Sequence, residues 1–499
     1  MSVLAICALS TVTGWPLASW LSASALGTEF RYGSQTFTVP DHCLLEQVAG
    51  PPLVDRPLTF DFDERGRLYV ADSSGSNAPV QQQLSAPNHR IVRLEDSDND
   101  GVFDARTVFA DHLMLPQGTL WHDQSLYVAA PPQIWRLTDT DDDGVADSRE
   151  VWFDGRTLTS CANDLHGPYL GRDGWFYWCK GGFAEQVYDL PGRAQWHTRA
   201  AHIFRSRPDG TGIEPVLTGG MDNPIDVAFT ARGERLLSST FLTHPSGGLR
   251  DGLVHALYGG VYGKQHSVLD GHARTGDLLT PLVQMGPAAV CGLHAHSGAG
   301  FGEDYCGDLF ACAFNLRKVS RHHLVPQGST FLSSESDFLE SDSADFHPTD
   351  VIEDADGSLL VADTGGWYKL CCPTSHIEKP ANLGAIYRIR RKDAVALADP
   401  RGLAIDWKGL VASHVVALLS DPRPAVLARA VTEIAQRKVA CLAAVAQLLN
   451  VGENNAGAGT AGEPSSRREA IWALSRIEHP DARALVRRAL ADPDPAVQP

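Results

Sequence analysis

Short apolar segments alternate with polar turns over most of the chain, and they recur as a single unit. In this unit one strand leads into an Asp-Gly or similar turn, and a second apolar strand follows. The unit is clearest from Leu58 to Asp72 and from Thr349 to Asp363. Further copies begin near residues 118, 166, 225 and 292. The regular return of short strands around a turn predicts an all-β repeat protein.

A third apolar segment, with an Ile/Val-x-Arg signature, follows most copies of the unit. It occurs at residues 91–93, 134–136, 203–205, 319–321 and 386–388. With a fourth strand in each unit, the six units predict a six-bladed β-propeller over residues 58–392. The segment from Phe37 to Val48 precedes the first copy, and we expect it to supply the outer strand of the last blade. That pairing closes the ring and removes an exposed sheet edge.

The pattern changes after Arg391, where Gly and aromatic residues become rare and Ala and Leu increase. Helical periodicity occurs at residues 407–419, 425–436 and 439–449. The octapeptide at 419–426 recurs at 490–497, and its Pro residues suit the start of a helix. We expect HEAT-like helical repeats over residues 393–499, interrupted by a linker near 451–464. Because such repeats need neighbours for stability, we expect the array to be incomplete or to rest on the propeller.

The N-terminal segment predicts export. Residues 1–28 contain no charged side chain, and the apolar stretch ends in Ala23-Ser24-Ala25, similar to a signal-peptide cleavage site. We therefore expect a signal peptide over residues 1–25 and a short lead over 26–57, although a buried helix is the alternative for the same residues. No later segment approaches the length of a membrane span. The expected location is the periplasm or the cell surface.

Charge and cysteine content limit the binding partners and cofactors that the sequence predicts. The formal net charge is −18, and an acidic surface repels phosphate backbones, so nucleic acid is not expected as a partner. The chain has 10 cysteines, of which Cys371 and Cys372 are adjacent. These two form either a strained vicinal disulfide or two half-buried thiols. No C-x-x-C-H motif occurs, so no covalent haem is expected in this chain.

Two loops have aspartates at alternating positions and a glycine in sixth place. The aspartates are Asp96, Asp98, Asp100 and Asp104 in the first loop, and Asp139, Asp141, Asp143 and Asp147 in the second. Alternating oxygens on a tight turn suit a hard cation, so we expect each loop to bind Ca²⁺ in a structural role. Two solvated inter-strand turns are the alternative, because Asp and Gly are ordinary turn residues.

Polar residues near the starts of the innermost strands are expected to meet at one mouth of the channel. These residues are Gln117, Asn163, Asp164, His166, Asn223, Asp226, His294, His347 and Asp350, and the ends of second strands add Lys180 and Trp367. His166 is the candidate general base, because an imidazole titrates near neutral pH. Asp164 and Asp226 are the accompanying catalytic candidates. Any one of these residues is equally suited to joining blades by hydrogen bonds.

Several longer motifs resemble one bacterial family. They are 60–72, the two aspartate loops, Gly220 to Pro224, Phe346 to Asp350 and Asp363 to Ser375. The chain is similar there to exported proteins named membrane-bound dehydrogenases. That family joins a propeller to HEAT repeats and often to a c-type haem domain, so the resemblance implies an oxidoreductase.

More distantly, the propeller resembles the soluble quinoprotein glucose and sorbosone dehydrogenases. The resemblance implies that His166 is the base, that pyrroloquinoline quinone (PQQ) takes the hydride and that Ca²⁺ assists. The residues expected to hold the cofactor are Asn163, Lys180, Asn223, His294, His347, Asp350 and Trp367. Asp222 occupies the position where those enzymes have an Arg, and Lys180 is the clearest candidate cation at a mostly acidic mouth.

Three functions remain open at this stage. The first is an exported sugar or polyol oxidoreductase that passes electrons to a c-type cytochrome. The second is a non-catalytic propeller–HEAT scaffold that binds a glycan or a cell-surface protein. The third is a lactonase-like hydrolase with Ca²⁺ held in the channel by Asp and Asn.

Overall fold

A computed structural model describes residues 27–159, 165–190, 192, 195–243, 247–368, 377–449 and 462–498. Within these residues, six sheets of four to six strands follow one another along the chain, one for each sequence repeat. They form the blades of a six-bladed β-propeller, which confirms the fold predicted from the repeats. We number the blades 1 to 6 from residue 57 onward.

The first three blades have their strands in chain order from the channel outward. Blade 1 consists of Pro57–Phe62, Leu68–Asp72, His89–Glu95 and Ala105–Leu113, with helix α1 (Val80–Ser85) after its second strand. Blade 2 consists of Thr119–His122, Ser125–Ala130, Gln133–Thr138 and Ser148–Asp154. Blade 3 consists of Leu165–Leu170, Phe176–Lys180, Ala201–Ser206 and Glu214–Gly219, and a parallel strand, Gly260–Tyr262, joins its outer edge.

The other three blades repeat this arrangement. Blade 4 consists of Asn223–Phe229, Arg235–Thr240, Asp251–His255 and Val283–Gly286. Blade 5 consists of Val290–Ala295, Leu309–Ala313, Lys318–Gln327 and Thr330–Ser341, extended by the hairpin Gln35–Pro40 and Gly27–Tyr32. Blade 6 consists of Pro348–Glu353, Leu359–Asp363, Ala385–Arg391 and Cys43–Ala49. Two small hairpins pair Gln186–Tyr188 with Trp196–Thr198 and Trp367–Tyr368 with Ile377–Glu378.

The second strand of each blade is covered on both faces by neighbouring blades. Every residue of Leu68–Asp72, Phe176–Lys180 and Leu359–Asp363 is buried. This double burial explains why these strands are continuous apolar runs in the sequence rather than alternating patterns. The core therefore lies between the blades, in a ring around the channel.

A strand that precedes blade 1 in the sequence closes the propeller. This strand, Cys43–Ala49, pairs antiparallel with Ala385–Arg391, and Leu45 lies opposite Ile389. The expected ring-closing strand is therefore present in blade 6. Phe37 belongs instead to the preceding strand and pairs with Ser341 of blade 5. The segment from Phe37 to Val48, which we predicted to be one strand, is thus divided between blades 5 and 6.

The C-terminal region is helical. Its helices are α2 (Ala412–Ala417), α3 (Pro424–Arg437), α4 (Val439–Leu448), α5 (Pro464–Ser475) and α6 (Pro480–Arg488). The first is shorter than its periodicity predicted, and α5 begins inside the expected linker. Helix α2 packs against α4 and α3 against α5, around a buried core that contains Val415, Ile434 and Leu474. None of the described helices has the length and apolarity of a membrane span.

These helices cover one side of the propeller, which we call the turn face. It is the side that carries the first turn of each blade. The Glu469 carboxylate of α5 forms an ion pair with Arg172, and Arg476 donates to the carbonyl oxygen of Arg172 at 2.9 Å. The Trp472 indole N–H donates to the carbonyl oxygen of Ala231 at 3.1 Å. The helical region therefore rests on the blade 3 and blade 4 turns.

Candidate functional site

The opposite end of the channel, which we call the loop mouth, is where the innermost strands begin. A cavity of about 70 Å³ lies inside it. Its walls include His166, Gln117, Asp226, Asp350 and Trp367 from four blades or their loops. The propeller thus brings together residues that are far apart in sequence. A cavity of this size has room for a few water molecules or for one end of a small ligand.

His166 lies at the start of the innermost strand of blade 3 and is 6% exposed. Its Nε2 atom is 3.2 Å from Oδ1 of Asn223 in blade 4, so the two blades are joined at this point. The backbone of blade 2 passes close by, because a Cβ at Gly118 would lie 2.3 Å from the carbonyl oxygen of Gly167. The imidazole is therefore held at the cavity wall by its neighbours.

Asp226 and Asp350 are buried carboxyl groups in the wall of the same cavity. Oδ2 of Asp226 accepts from the backbone N–H of Leu293 at 2.8 Å, and Oδ2 of Asp350 accepts from that of Phe60 at 3.1 Å. Each hydrogen bond joins two neighbouring blades. Gly292 passes close to them, since a Cβ there would lie 2.5 Å from the Cα of Asp350.

The pKa values of both carboxyl groups are displaced upward. Burial raises the pKa of Asp350 to about 7, chiefly because no solvent stabilises its charge. Burial also raises the pKa of Asp226 well above its usual range, and repulsion from Asp350 adds to this effect. Two buried carboxyl groups with raised pKa values in one cavity are typical of a site that handles protons.

Of three other predicted site residues, the side chains of two have hydrogen-bond partners among the described residues and that of one does not. Lys180 is 1% exposed, and its ammonium group donates to the carbonyl oxygen of Thr157 at 3.1 Å. His347 donates from Nδ1 to the carbonyl oxygen of Gly365 at 2.6 Å. Trp367 is 2% exposed, and its indole nitrogen has no hydrogen-bond partner. All three lie on the loop-mouth side, as the sequence predicted.

His294 does not join this group. It lies near the end of its strand, toward the turn face, with Nε2 3.5 Å from the carboxylate of Glu353. Nδ1 of His296 accepts from the backbone N–H of Gly298, and Nε2 donates to the carbonyl oxygen of Gly357. The expectation that His294 converges with His166 is corrected, because a strand of six residues carries it away from the mouth. His296 is likewise committed to backbone partners rather than to a metal pair with His294.

Four predicted residues lie outside the described part of the chain. They are Asn163, Asp164, Cys371 and Cys372. The cysteines that the structure describes are Cys43, Cys179, Cys291, Cys306, Cys312 and Cys441, and these six are free thiols.

Charged residues that the sequence did not single out surround the loop mouth. Lys264 forms an ion pair with Asp222, directly before Asn223. The parallel pairing of Gly260–Tyr262 with Glu214–Gly219 brings Lys264 to this position. A local sequence pattern does not predict this pairing, because two parallel strands are joined by a long crossover connection and are therefore far apart in sequence.

Lys180 donates to a backbone carbonyl oxygen, whereas two further cations at the mouth are matched by carboxylates. Arg250 pairs with Asp251 at 2.7 Å, and Arg90 pairs with Asp72 at 2.6 Å. Among the described residues that line the cavity there is no Lys or Arg. PQQ is a tricarboxylate and needs a cationic site. The described residues therefore do not fit this cofactor.

The two aspartate loops lie on the turn-face side of blades 1 and 2, away from His166. Side-chain oxygens of Asp96, Asp98 and Asp100 lie within 4.8 Å of one another, and so do those of Asp139, Asp141 and Asp147. Asp104 and Asp143 are not in these two groups. Asp104 accepts from Ser97, and Asp143 accepts from the backbone N–H of Val145. The donor sets that remain fit a hard cation such as Ca²⁺.

The fold and the site define a six-bladed propeller with a histidine and two buried carboxyl groups at one mouth of its channel. A family model described as a domain of unknown function (DUF7133) matches residues 32–393, and the chain belongs to that family. No protein with a curated description matches the chain.

Solved structures of sugar dehydrogenases are similar to the propeller. A Thermus thermophilus oxidoreductase described as a glucose dehydrogenase has 18% identity and a TM-score of 0.48, covering 70% of this chain and 99% of that one. The PQQ domain of Coprinopsis cinerea pyranose dehydrogenase has 13% identity and a TM-score of 0.49, covering 72% and 98%. Aldose sugar dehydrogenase from Streptomyces coelicolor, in its PQQ-bound form, has 14% identity and a TM-score of 0.48, covering 70% and 100%. At these identities the similarity assigns no residue roles.

Proposed function

We propose that this protein oxidises a hydroxyl group of a sugar or polyol at the loop mouth, with His166 as the general base. The observation that supports the proposal is the position of His166, which is nearly buried, lies at the cavity wall and is held by Asn223. The resemblance to the membrane-bound and quinoprotein dehydrogenases gives the reaction class. Asn223 acts as a positioning residue in this proposal.

The chemistry divides between this chain and an electron acceptor. Oxidation of an alcohol removes the hydroxyl proton and a hydride from carbon. His166 takes the proton, and Asp226 and Asp350 lie in the same cavity wall to exchange it further. The hydride passes to a separate two-electron acceptor of the quinone class, which then gives its two electrons one at a time to a c-type cytochrome as the proposed final partner. Because the described cavity lining does not fit the tricarboxylate PQQ, no step is assigned to that particular group.

Two other functions retain support. A non-catalytic glycan- or protein-binding scaffold is favoured by the way Asn223, Asp226 and Asp350 join neighbouring blades. A lactonase-like hydrolase with Ca²⁺ in the channel is favoured by the two buried carboxyl groups in one cavity. Oxidation of sugars that depends on His166 separates the enzyme from both alternatives.

Three further features belong to this proposal. The apolar N-terminal segment favours export to the periplasm or cell surface. The octapeptide repeat and the packing of α3 on α5 favour HEAT-like repeats. The aspartate loops are proposed structural Ca²⁺ sites.

The experiment compares His166→Ala with His122→Ala. His122 lies at the turn end of its strand and packs edge-on against Phe176, so it controls for the loss of a channel histidine. Dye-linked oxidation of a panel of sugars and polyols is measured. We expect His166→Ala to lose about 10²- to 10⁴-fold in kcat, with partial rescue by added imidazole, and His122→Ala to retain its rate. Full oxidation by a folded His166→Ala protein contradicts the proposal.

A further inference from the structure

We infer that the loop mouth selects neutral, hydroxyl-rich ligands and rejects polycarboxylates, PQQ included. This inference rests on the proposed function in one respect, namely that ligands bind at the loop mouth. It narrows the substrate to neutral sugars and polyols, and it excludes PQQ, the cofactor that the resemblance to quinoprotein dehydrogenases implies.

Two basic residues near the histidine are committed to other groups. Lys180 is 1% exposed and donates to the carbonyl oxygen of Thr157, and Lys264 forms an ion pair with a carboxylate. The ammonium group of Lys264 faces Asp222, whose neighbour Asn223 contacts His166. The Lys264 side chain is 13% exposed and that of Asp222 is 33% exposed. A ligand carboxylate that approached Lys264 would have to displace Asp222, which would then repel it.

Two arginines near the loop mouth are also paired with carboxylates. Arg250 is paired with Asp251, which is fully buried and also accepts from the backbone N–H groups of Phe241 and Ala289. Arg90 is shared between Asp55 and Asp72 at 2.6 Å each. These arginines hold loop-anchoring carboxylates in place. They are therefore not available for a ligand without loss of local structure.

The cavity itself disfavours negative charge. Its described lining has two carboxyl groups, Asp226 and Asp350, and no Lys or Arg. In a site of low dielectric, an added carboxylate interacts unfavourably with both. Burial raises the pKa of both groups, and in its protonated form each carboxyl group is a hydroxyl donor.

The remaining lining suits an uncharged ligand with hydroxyl groups. Thr59, Thr349 and Gln117 offer neutral donors and acceptors, and Phe314 and Trp367 provide apolar ring surface. Hydroxyl groups both donate and accept, so they match such a wall better than a carboxylate does. One end of a sugar or polyol has this chemistry.

Titration with PQQ tests the charge argument. Wild-type protein is compared with Asp222→Asn, which removes one negative charge and releases Lys264, and with Asp222→Arg, which changes the charge by two. Binding is followed by quenching of tryptophan fluorescence, and circular dichroism checks that each variant is folded. We expect no saturable binding to wild type up to about 100 μM. We expect affinity to rise about tenfold or more along the series, and to fall again at high salt.

A matched pair of sugars tests the ligand class. D-glucose and D-glucuronate differ by one carboxylate, and their binding to wild type is compared by saturation-transfer NMR. We expect a signal for glucose that exceeds the signal for glucuronate. The inference is overturned if wild type binds PQQ with micromolar affinity, if a folded Asp222→Arg protein shows no gain, or if glucuronate binds better than glucose. If neither sugar binds while the PQQ series rises as expected, the charge selection stands and the proposed sugar substrate fails.

Discussion

The two ends of the channel are built from the same repeated unit, yet buried carboxyl groups at the two ends have different hydrogen-bond and ion-pair partners. At the turn face, the buried carboxyl of Asp354 is paired with both Arg388 and Arg401. In the channel near the loop mouth, Asp226 and Asp350 have backbone N–H donors and no basic partner among the described residues. Helix α5 contacts the turn face, whereas the loop mouth leads to a cavity.

This difference suggests that the charges at the turn face stabilise the fold, whereas those at the loop mouth serve the candidate site. One charge pair at the turn face fastens the helical region, since Arg172 of blade 3 pairs with Glu469 of α5. Unpaired carboxyl groups in the channel cost stability and are retained where they have another use. The repeat therefore supplies the scaffold at both ends, and the cavity at the loop mouth holds Asp226 and Asp350 without a basic partner among the described residues.

Breaking the ion pair between blade 3 and α5 is expected to have the largest effect on stability. The Glu469 side chain is 3% exposed and that of Arg172 is 28% exposed. Glu469→Ala leaves the guanidinium without its partner, so the free energy of unfolding should fall by about 3 kcal/mol. Urea denaturation measures this loss. The double variant Arg172→Met/Glu469→Leu should recover most of it, and a neutral Glu469→Ala would show that the helices are held by apolar contacts alone.

Replacing a channel carboxyl group is expected to change the pH dependence of stability. Because the folded pKa of Asp350 is about 7 and the unfolded one is about 4, the folded state binds more protons in between. Stability therefore falls as the pH rises from about 4 to 7, by at most about 1.4 kcal/mol per pH unit for one group. Asp350→Asn should flatten this slope. An unchanged slope between pH 5 and 7 contradicts the assignment.

Calcium should stabilise the turn-face side by a smaller amount. At saturating Ca²⁺ the free energy of unfolding should rise by about 1–2 kcal/mol through preferential binding to the folded state. Asp98→Asn combined with Asp141→Asn should reduce the resulting shift in melting temperature. Asp142→Asn is the matched control, since Asp142 lies in the same loop but pairs with Arg67 at 2.6 Å. Equal shifts in wild type and the double variant would exclude these loops as the sites.

The smallest effect is expected at the contact between α5 and blade 4. Trp472→Phe keeps an aromatic ring but removes the hydrogen bond to the carbonyl oxygen of Ala231. A single hydrogen bond of this kind contributes about 1 kcal/mol. Thermal unfolding should show a shift of this size, without any change in ligand binding at the loop mouth. A change in binding would indicate that the two ends are coupled.

Sequence patterns were sufficient for the blades because each strand's apolar period and each turn are local features. The same reasoning placed His166, Asp226 and Asp350 correctly on the channel side. It misplaced His294. We expected this residue at the start of its strand, but it lies near the end of Val290–Ala295. It overlooked Lys264, whose position depends on a parallel strand from a distant segment.

By itself, the sequence determined the repeat number, the ring-closing strand and the change to a helical region, because periodicity and turn chemistry act over a few residues. It also supplied the histidine, the carboxyl groups and the aspartate loops. Only the tertiary structure decided which of these residues share a cavity, and that Asp222 is matched by Lys264. Burial and charge pairing arise between segments far apart in the chain, and no local pattern encodes the distance between them.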